Sequence, residues 1–297
     1  MYDVIIIGGS YAGLSAAMAL GRSLRKVLII DSGMPCNRQT PHSHNFVTQD
    51  GKTPHEISTL AREQVEKYNT VRFITDKAVK GKKTPTGFSI ETLSQEEFHA
   101  RKLILATGIT DIMPDMKGFS ECWGISVVHC PYCHGYELRE KVTAIIANGD
   151  KAFHIASLVS NLTRYLTNLT SGEPNFTNEQ ADKLSRHHIK IISTGIAEII
   201  HLEGQMNSIV FQDGTTAKFD AAYAAVPFVQ QTDIAGQLGC EMTEHGYIKV
   251  DPFQHTNVKG LFACGDNSSL MRSVANAVST GNLAGALVNK ELCEEDF

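Results

Sequence analysis

Asp3-Val4-Ile5-Ile6-Ile7-Gly8-Gly9-Ser10-Tyr11-Ala12-Gly13 is an apolar run that stops at once in glycines. A run without polar alternation suits a strand buried on both faces of a parallel sheet. The next residues, Leu14 to Leu24, are mostly small or apolar and suit a helix packed closely on that sheet. A second apolar run, Lys26 to Ile30, ends at Asp31. Strand, glycine turn, helix, strand and acid is the order of a dinucleotide-binding unit, in which a pyrophosphate lies at the helix N-terminus and the acid bonds a ribose hydroxyl. Ser10 stands where GxGxxG has its middle glycine. Serine still allows close backbone approach, and its hydroxyl can donate to a phosphate.

The chain has 297 residues, more than one core usually serves, so two domains are expected. Hydrophobic residues make up 42% and charged residues 20%, as in a soluble globular protein. No apolar run approaches the ~18 residues of a membrane span. The formal charge of -5 argues against a nucleic-acid partner, whose phosphates need a basic surface. Of seven cysteines only Cys130 and Cys133 are close in sequence; with no export signal before the first strand, a reducing, cytoplasmic location is expected. The acidic tail Glu294-Glu295-Asp296 reads as a solvated end.

Ser32 to Gly51 is a polar, irregular loop with Pro35 and Pro41, which argue for a fixed path. Thr53 to Tyr68 is predicted as a helix, and Val71–Ile74, Gly87–Thr92, Glu97–Ala100 and Lys102–Ala106 as separate strands, the last capped by Thr107-Gly108. Trp123 to His129 leads as a strand into the cysteine pair. Val142 to Ala147, Asn148-Gly149-Asp150-Lys151-Ala152 and the helix after them form a second, eroded nucleotide unit: Ala147 replaces its first glycine, and the strand near Tyr165–Asn168 is followed by SGEPNF, without arginines for a 2′-phosphate. Further strands are expected at Ile189–Ser193, Ile196–Leu202, Ser208–Gln212, Ala221–Val226 and from Leu261, and a last helix at Val274–Val288.

Cys130-Pro131-Tyr132-Cys133-His134 carries the chemistry. Two cysteines at this spacing can close a small disulfide, and either thiolate can open another. CxxC can also be half of a zinc site, but a structural zinc needs four ligands, and no second CxxC or HxxxH exists. His134 titrates near neutrality in its ordinary state and can take a thiol proton or return one. His129 is as readily structural as supporting.

Over essentially its whole length the chain resembles the low-molecular-weight thioredoxin reductase group of flavin disulfide oxidoreductases. The matched stretches are GGSYAG with Asp31, LILATG, CPYCHGYE, LFACGD and Met271-Arg272-Ser273-Val274. The resemblance implies an α/β fold of two Rossmann-like, three-layer ββα dinucleotide-binding domains, the second inserted into the first. Residues 1–115 and 228–297 would bind FAD; residues 116–227 would carry the dithiol. It implies cofactor contacts from Gly8, Ser10, Tyr11, Ala12, Gly13, Asp31, Arg38, Gln39, Asn45, Val79, Thr107, Gly108, Gly265, Asp266, Ser273 and Val274. It implies that Cys130 exchanges with substrate while Cys133 faces the flavin, and His134 completes the catalytic set. His42, His44 and Cys36 lie in the loop expected near the flavin.

Two departures refine this. The second nucleotide motif is eroded, which makes NADPH doubtful as a cofactor beside FAD, and His134 replaces the usual aspartate. The string around the cysteines is closer to the gliotoxin-type dithiol oxidases and their relatives. The expectation is therefore an FAD-dependent thiol-disulfide oxidoreductase, a homodimer, acting on a thioredoxin-like protein or a small dithiol or disulfide, with oxygen or a protein electron donor as its second redox partner. A conventional NADPH-thioredoxin reductase and a non-catalytic flavin redox sensor are the alternatives.

Overall fold

A computed structural model describes all residues, Met1–Phe297. The elements run β1 (Tyr2–Ile7), α1 (Tyr11–Arg22), β2 (Val27–Asp31), α2 (Pro54–Glu66), β3 (Val71–Thr75), β4 (Ala78–Thr84), β5 (Gly87–Thr92) and β6 (Glu97–Leu105). Then follow β7 (Ile109–Asp111), α3 (Phe119–Cys122), β8 (Val127–Val128), α4 (Pro131–His134), β9 (Thr143–Ile146), α5 (Gly149–Val159), β10 (Leu166–Leu169) and α6 (Asn178–Arg186). The chain continues with β11 (Lys190–Ile192), β12 (Ile196–Leu202), β13 (Gln205–Phe211), β14 (Thr216–Lys218) and β15 (Ala221–Ala224), and ends with β16 (Phe228–Gln230), α7 (Ile234–Gln237), β17 (Leu261–Ala263) and α8 (Val274–Asp296).

Two compact Rossmann-like units result. The first comprises Met1–Arg38, Phe46–Thr110 and Phe228–Phe297; the second comprises Gln39–Asn45 and Asp111–Pro227. In the first, the strand order is β3-β2-β1-β6-β5-β4, with β17 also on β6. Strands β1, β2, β3, β6 and β17 pair in parallel, while β4 and β5 add antiparallel edges. Val4 and Ile6 enter one core and Ile5 and Ile7 another. Burial on both faces is why β1 reads as an unbroken apolar run. Helix α2 opens on a capping box: Glu56 N–H donates to Thr53 Oγ1 at 3.1 Å, and Thr53 N–H donates to Glu56 Oε2 at 2.8 Å.

Small residues let α8 lie on α1. A Cβ at Gly281 would stand 2.1 Å from Ala12 O, and one at Gly285 2.5 Å from Ala16 O, so the contact requires glycine at both places. The helix runs beyond the expected Val288 to Asp296, and its acidic end is exposed, as expected, but also ion-paired. Lys102 Nζ lies 2.6 Å from both Glu291 and Glu295, while Arg101 reaches Glu295 at 2.9 Å and Asp296 at 2.8 Å. Arg25 also holds Asp296, at 2.8 Å. These pairs explain why the two strands expected on either side of Arg101 are one, β6: with its charge matched, Lys102 can be buried inside a strand.

The second unit is a parallel sheet in the order β11-β10-β9-β15-β8 and an antiparallel sheet β12-β13-β14. One face of the parallel sheet packs Val127, Ala144, Ala222 and Ala224 with Phe119 and Ile199; the other packs Val128, Ile145 and Tyr223 with Ala152, Ile155 and Ala156 of α5. Elements β4, β7, α3, α4, α6, β14, β16 and α7 go beyond those expected from the sequence. Helix α6 is largely polar and is started by its own capping box of Thr177 and Gln180, a signal its apolar pattern does not carry.

Candidate functional site

The glycine turn of the first unit is dictated by close approach. Gly8 has φ +105°, and a Cβ there would meet Ala106 O at 2.2 Å; one at Gly13 would meet Gly8 O at 1.9 Å. Gly9 N–H donates to Asp31 Oδ1 at 2.9 Å, which fixes the acid at the end of β2. Ser10 is the N-cap residue of α1, and its side chain makes no capping bond, so the first-turn amides of the helix are not consumed by it. The turn borders a cavity of about 400 Å³ that Gly8, Gly9, Ser10, Asp31 and Thr107 line from the sheet ends, and His55, Ser58 and Arg62 from α2. Arg62 is held over the Phe73 ring, 4.5 Å from its centroid, and pairs with Glu66 at 2.7 Å.

Of the other expected cofactor residues, only Thr107 also lines this cavity. Tyr11 donates through its hydroxyl to Pro54 O at 3.2 Å and accepts from Asn37 Nδ2 at 3.2 Å, tying the start of the long loop to α2. Ala12 lies under Gly265 and Gly281, a packing position. Thr107 Oγ1 accepts from Asn267 Nδ2 at 3.1 Å, and Gly108 at φ +65° faces open space. Gly265 N–H donates to Thr280 Oγ1 at 3.0 Å, and Cys36 Sγ lies 3.8 Å from Asp266 Oδ2. Ser273 caps α8 by accepting from Asn276 N–H at 3.1 Å, and Val274 packs on the core. Val79 does not line the cavity, although its neighbours Lys77 and Ala78 do; its carbonyl accepts from Gln237 Nε2 at 3.2 Å. Arg38 is exposed and donates to Pro35 O at 3.1 Å, within its own loop. Gln39 and Asn45 belong to the second unit, where Gln39 Nε2 donates to Ser120 O at 3.4 Å and Asn45 adopts φ +60°.

The cysteines sit on the single turn α4. Cys130 is its N-cap residue, Pro131 presets the first helical φ, and Cys133 N–H donates to Cys130 Sγ at 3.2 Å. A backbone donor aimed at sulfur favours the thiolate. The next residue does not behave as its ordinary titration suggests. Burial first, then the charge of His44, push His134 down to about 4, with Glu137 opposing. His134 is therefore neutral at physiological pH, a proton acceptor rather than a group half-charged near 7. His44 Nδ1 lies 3.6 Å from Glu137 Oε1, and the His42 and His44 rings stand 6.4 Å apart. His129 stacks on Trp123 at 6.0 Å, and Trp123 on Phe119 at 5.6 Å, which makes His129 part of the packing. No group of three or more His, Cys, Asp or Glu side chains is arranged to hold a metal ion.

In the second unit the turn between β9 and α5 is filled by the protein itself. Asn148 Oδ1 accepts from Gly149 N–H and Asn175 N–H, both at 2.8 Å, and its Nδ2 donates to Glu173 O at 2.9 Å. Asp150 stands in the first turn of α5 and accepts from Gln180 at 2.8 Å. Thus side-chain carbonyl, backbone and carboxylate occupy the place where a phosphate-binding helix end needs open N–H groups. The sequence showed the missing glycine but not Asn175, which comes from a loop 27 residues away. It also gave no sign of His55, Arg62 or the His44–Glu137 pair, whose types are ordinary and whose partners are distant.

Two doubly wound units, one with a glycine cradle at its first helix and one with two cysteines on a single turn, define a nucleotide-dependent disulfide oxidoreductase. The chain belongs to the pyridine nucleotide-disulphide oxidoreductase family, whose model matches residues 2–281. It is an enzyme of thioredoxin reductase-like type. It is 34% identical to "Thioredoxin reductase tcpT" of Claviceps purpurea over 301 residues, covering 98% of this chain and 94% of that protein. Among solved structures it is similar to a putative thioredoxin reductase TrxB from Bacillus anthracis, with TM-score 0.95, 30% identity and 100% coverage of both chains. An oxidoreductase from Agrobacterium tumefaciens aligns with TM-score 0.91 and 37% identity over 99% of each chain. No helix is long and apolar enough to cross a membrane.

Proposed function

We propose that the protein is an FAD-dependent thiol-disulfide oxidoreductase in which Cys130 and Cys133 exchange two electrons with a dithiol or disulfide substrate, without efficient use of NADPH. The self-filled turn at Asn148, closed by Asn175 and flanked by the Asp150 carboxylate, carries the reading against NADPH. A nicotinamide dinucleotide would have to displace those hydrogen bonds and meet a negative charge at the helix end.

FAD fits the first unit. The cavity is lined by Gly8, Gly9 and Ser10, the N-cap residue of α1, and by Asp31, whose Oδ1 is engaged by Gly9 N–H at 2.9 Å while Oδ2 can meet a ribose. Ser10 and the first-turn amides would hold the pyrophosphate, and Asp31 the ribose hydroxyls. When bound, the flavin supplies the two-electron acceptor for the reduced cysteine pair. The chain's own residues do the rest: Cys130 exchanges with substrate, Cys133 closes the disulfide, and neutral His134 accepts a thiol proton. The second redox partner is then oxygen or a protein donor, and the substrate a thioredoxin-like protein or a small dithiol.

Anaerobic addition of NADPH to the yellow holoenzyme tests this. We expect slow or no bleaching of the flavin by NADPH and rapid bleaching by a small dithiol. Rapid bleaching by NADPH at substoichiometric dithiol would refute it in favour of a conventional NADPH-thioredoxin reductase. Sustained oxygen uptake with dithiol, instead of a single equivalent, separates an enzyme turning over from a redox sensor.

A further inference from the structure

Tyr223 heads the fully buried side chains by size and is 1% exposed, yet its hydroxyl has no hydrogen-bond partner. Buried hydroxyls are nearly always satisfied, and a phenylalanine would fill this place without stranding a polar atom. The position of the phenol suggests what it serves. Tyr223 lies opposite Val128 on β8 and Ile145 on β9, and all three share the face packed by α5. Cys130 follows Val128 by two residues, where the chain leaves the C-terminal edge of the sheet. Burial, and then the charges of Cys130 and Glu137, raise the phenol above its ordinary pKa, so it stays a protonated donor.

We propose that the Tyr223 hydroxyl is a catalytic hydrogen-bond donor to Cys130, held dry and uncommitted so that it turns to the sulfur whenever exchange makes Cys130 a thiolate. The inference rests on the assignment of Cys130 as the exchanging thiol. In the oxidising direction a substrate thiolate attacks Cys130 Sγ, the Cys130–Cys133 bond breaks, and Cys133 leaves as thiolate. The second substrate thiolate then attacks the substrate sulfur of the mixed disulfide; the substrate S–S bond forms and Cys130 leaves as thiolate. Two electrons pass to the cysteine pair, and two thiol protons pass to base and solvent. The charge that develops on Cys130 meets one donor from the backbone, Cys133 N–H at 3.2 Å, and a second from Tyr223. A better-stabilised thiolate leaves faster. In the reducing direction the same donor favours the attacking thiolate.

The titratable groups along this segment, besides Cys130 itself, are His129, Tyr132, Cys133, His134, Tyr136 and Glu137, with His44 paired to Glu137. On its own face Tyr223 packs with apolar side chains of β8, β9 and α5, among them Val128, Ile145, Ala152 and Ile155.

The test is Tyr223→Phe, which keeps the ring. The reduced holoenzyme is alkylated with iodoacetamide between about pH 5 and pH 9, and Cys130 and Cys133 are quantified separately by mass spectrometry. In the variant the midpoint of Cys130 alkylation should rise by about one pH unit and dithiol turnover fall about tenfold, with the melting temperature unchanged or higher. An unmoved midpoint with unmoved turnover would overturn the inference, as would a lowered melting temperature with an unmoved midpoint, the mark of a structural hydroxyl. Fast labelling of Cys133 in place of Cys130 in the wild-type protein would instead sink the assignment of Cys130 itself.

Discussion

His134→Gln should flatten the acid side of the stability curve. In the fold His134 binds its proton only near 4, while in the unfolded chain it binds at the ordinary 6.5. Its folded pKa is depressed, so the unfolded chain takes up the proton first and stability falls as pH drops from 6.5 towards 4. Above that window the imidazole is neutral in both states and costs nothing. Linkage gives a loss of about 2 kcal/mol by pH 5, approaching about 3 kcal/mol near pH 4. The cause is burial, reinforced by the positive charge of His44 and partly offset by Glu137, so the loss is specific to this imidazole. Urea unfolding of wild type and variant at pH 7 and pH 5 measures it. The wild type should lose about 2 kcal/mol more than the variant over that interval. Equal losses would refute the argument and return His134 to a solvated histidine that titrates near neutrality, with a correspondingly different role beside Cys133.

Cys130→Ser should abolish turnover and leave the bound flavin yellow, because the exchanging sulfur is lost while the first unit is untouched; retained dithiol-disulfide activity would remove Cys130 from its role. Lys102→Met should lower stability by about 2 kcal/mol at neutral pH, since Glu291 and Glu295 would face each other without the cation they now share at 2.6 Å, and equilibrium unfolding reads the difference. Gly13→Ala drives a Cβ to 1.9 Å from Gly8 O, so the turn must open; the ratio of flavin to protein absorbance after purification should fall several-fold, a cost of about 1–3 kcal/mol for overpacking.

Features that depend on neighbours along the chain are legible in the sequence; contacts between distant segments decide the rest. The run from Asp3 to Gly13 announces a buried parallel strand and a tight turn because solvent exclusion and backbone approach leave their mark on adjacent residues. CxxC announces thiol exchange because two residues are the spacing of one helical turn. In contrast, the ion pairs that Arg25, Arg101 and Lys102, remote in sequence, make with the exposed acidic end of α8 leave no mark on that end itself. His134 reads as a neutral-range titrator until burial and His44 withhold its proton.

The same division runs through the site. Sequence placed Ser10, Asp31 and Thr107 in the first unit's cradle, yet could not see that Gln39 and Asn45 belong to the other unit, or that Val79 points its carbonyl at Gln237. It showed that the second nucleotide motif had lost its glycine. The fold showed what took the space, the Asn148 amide and the loop through Asn175. Tyr223 looked like one more residue of an apolar strand. Only the register of β15 beside β8 sets Tyr223 opposite Val128, two residues before Cys130, because which residues lie side by side across a parallel sheet is fixed by packing between distant segments and is written in neither segment alone.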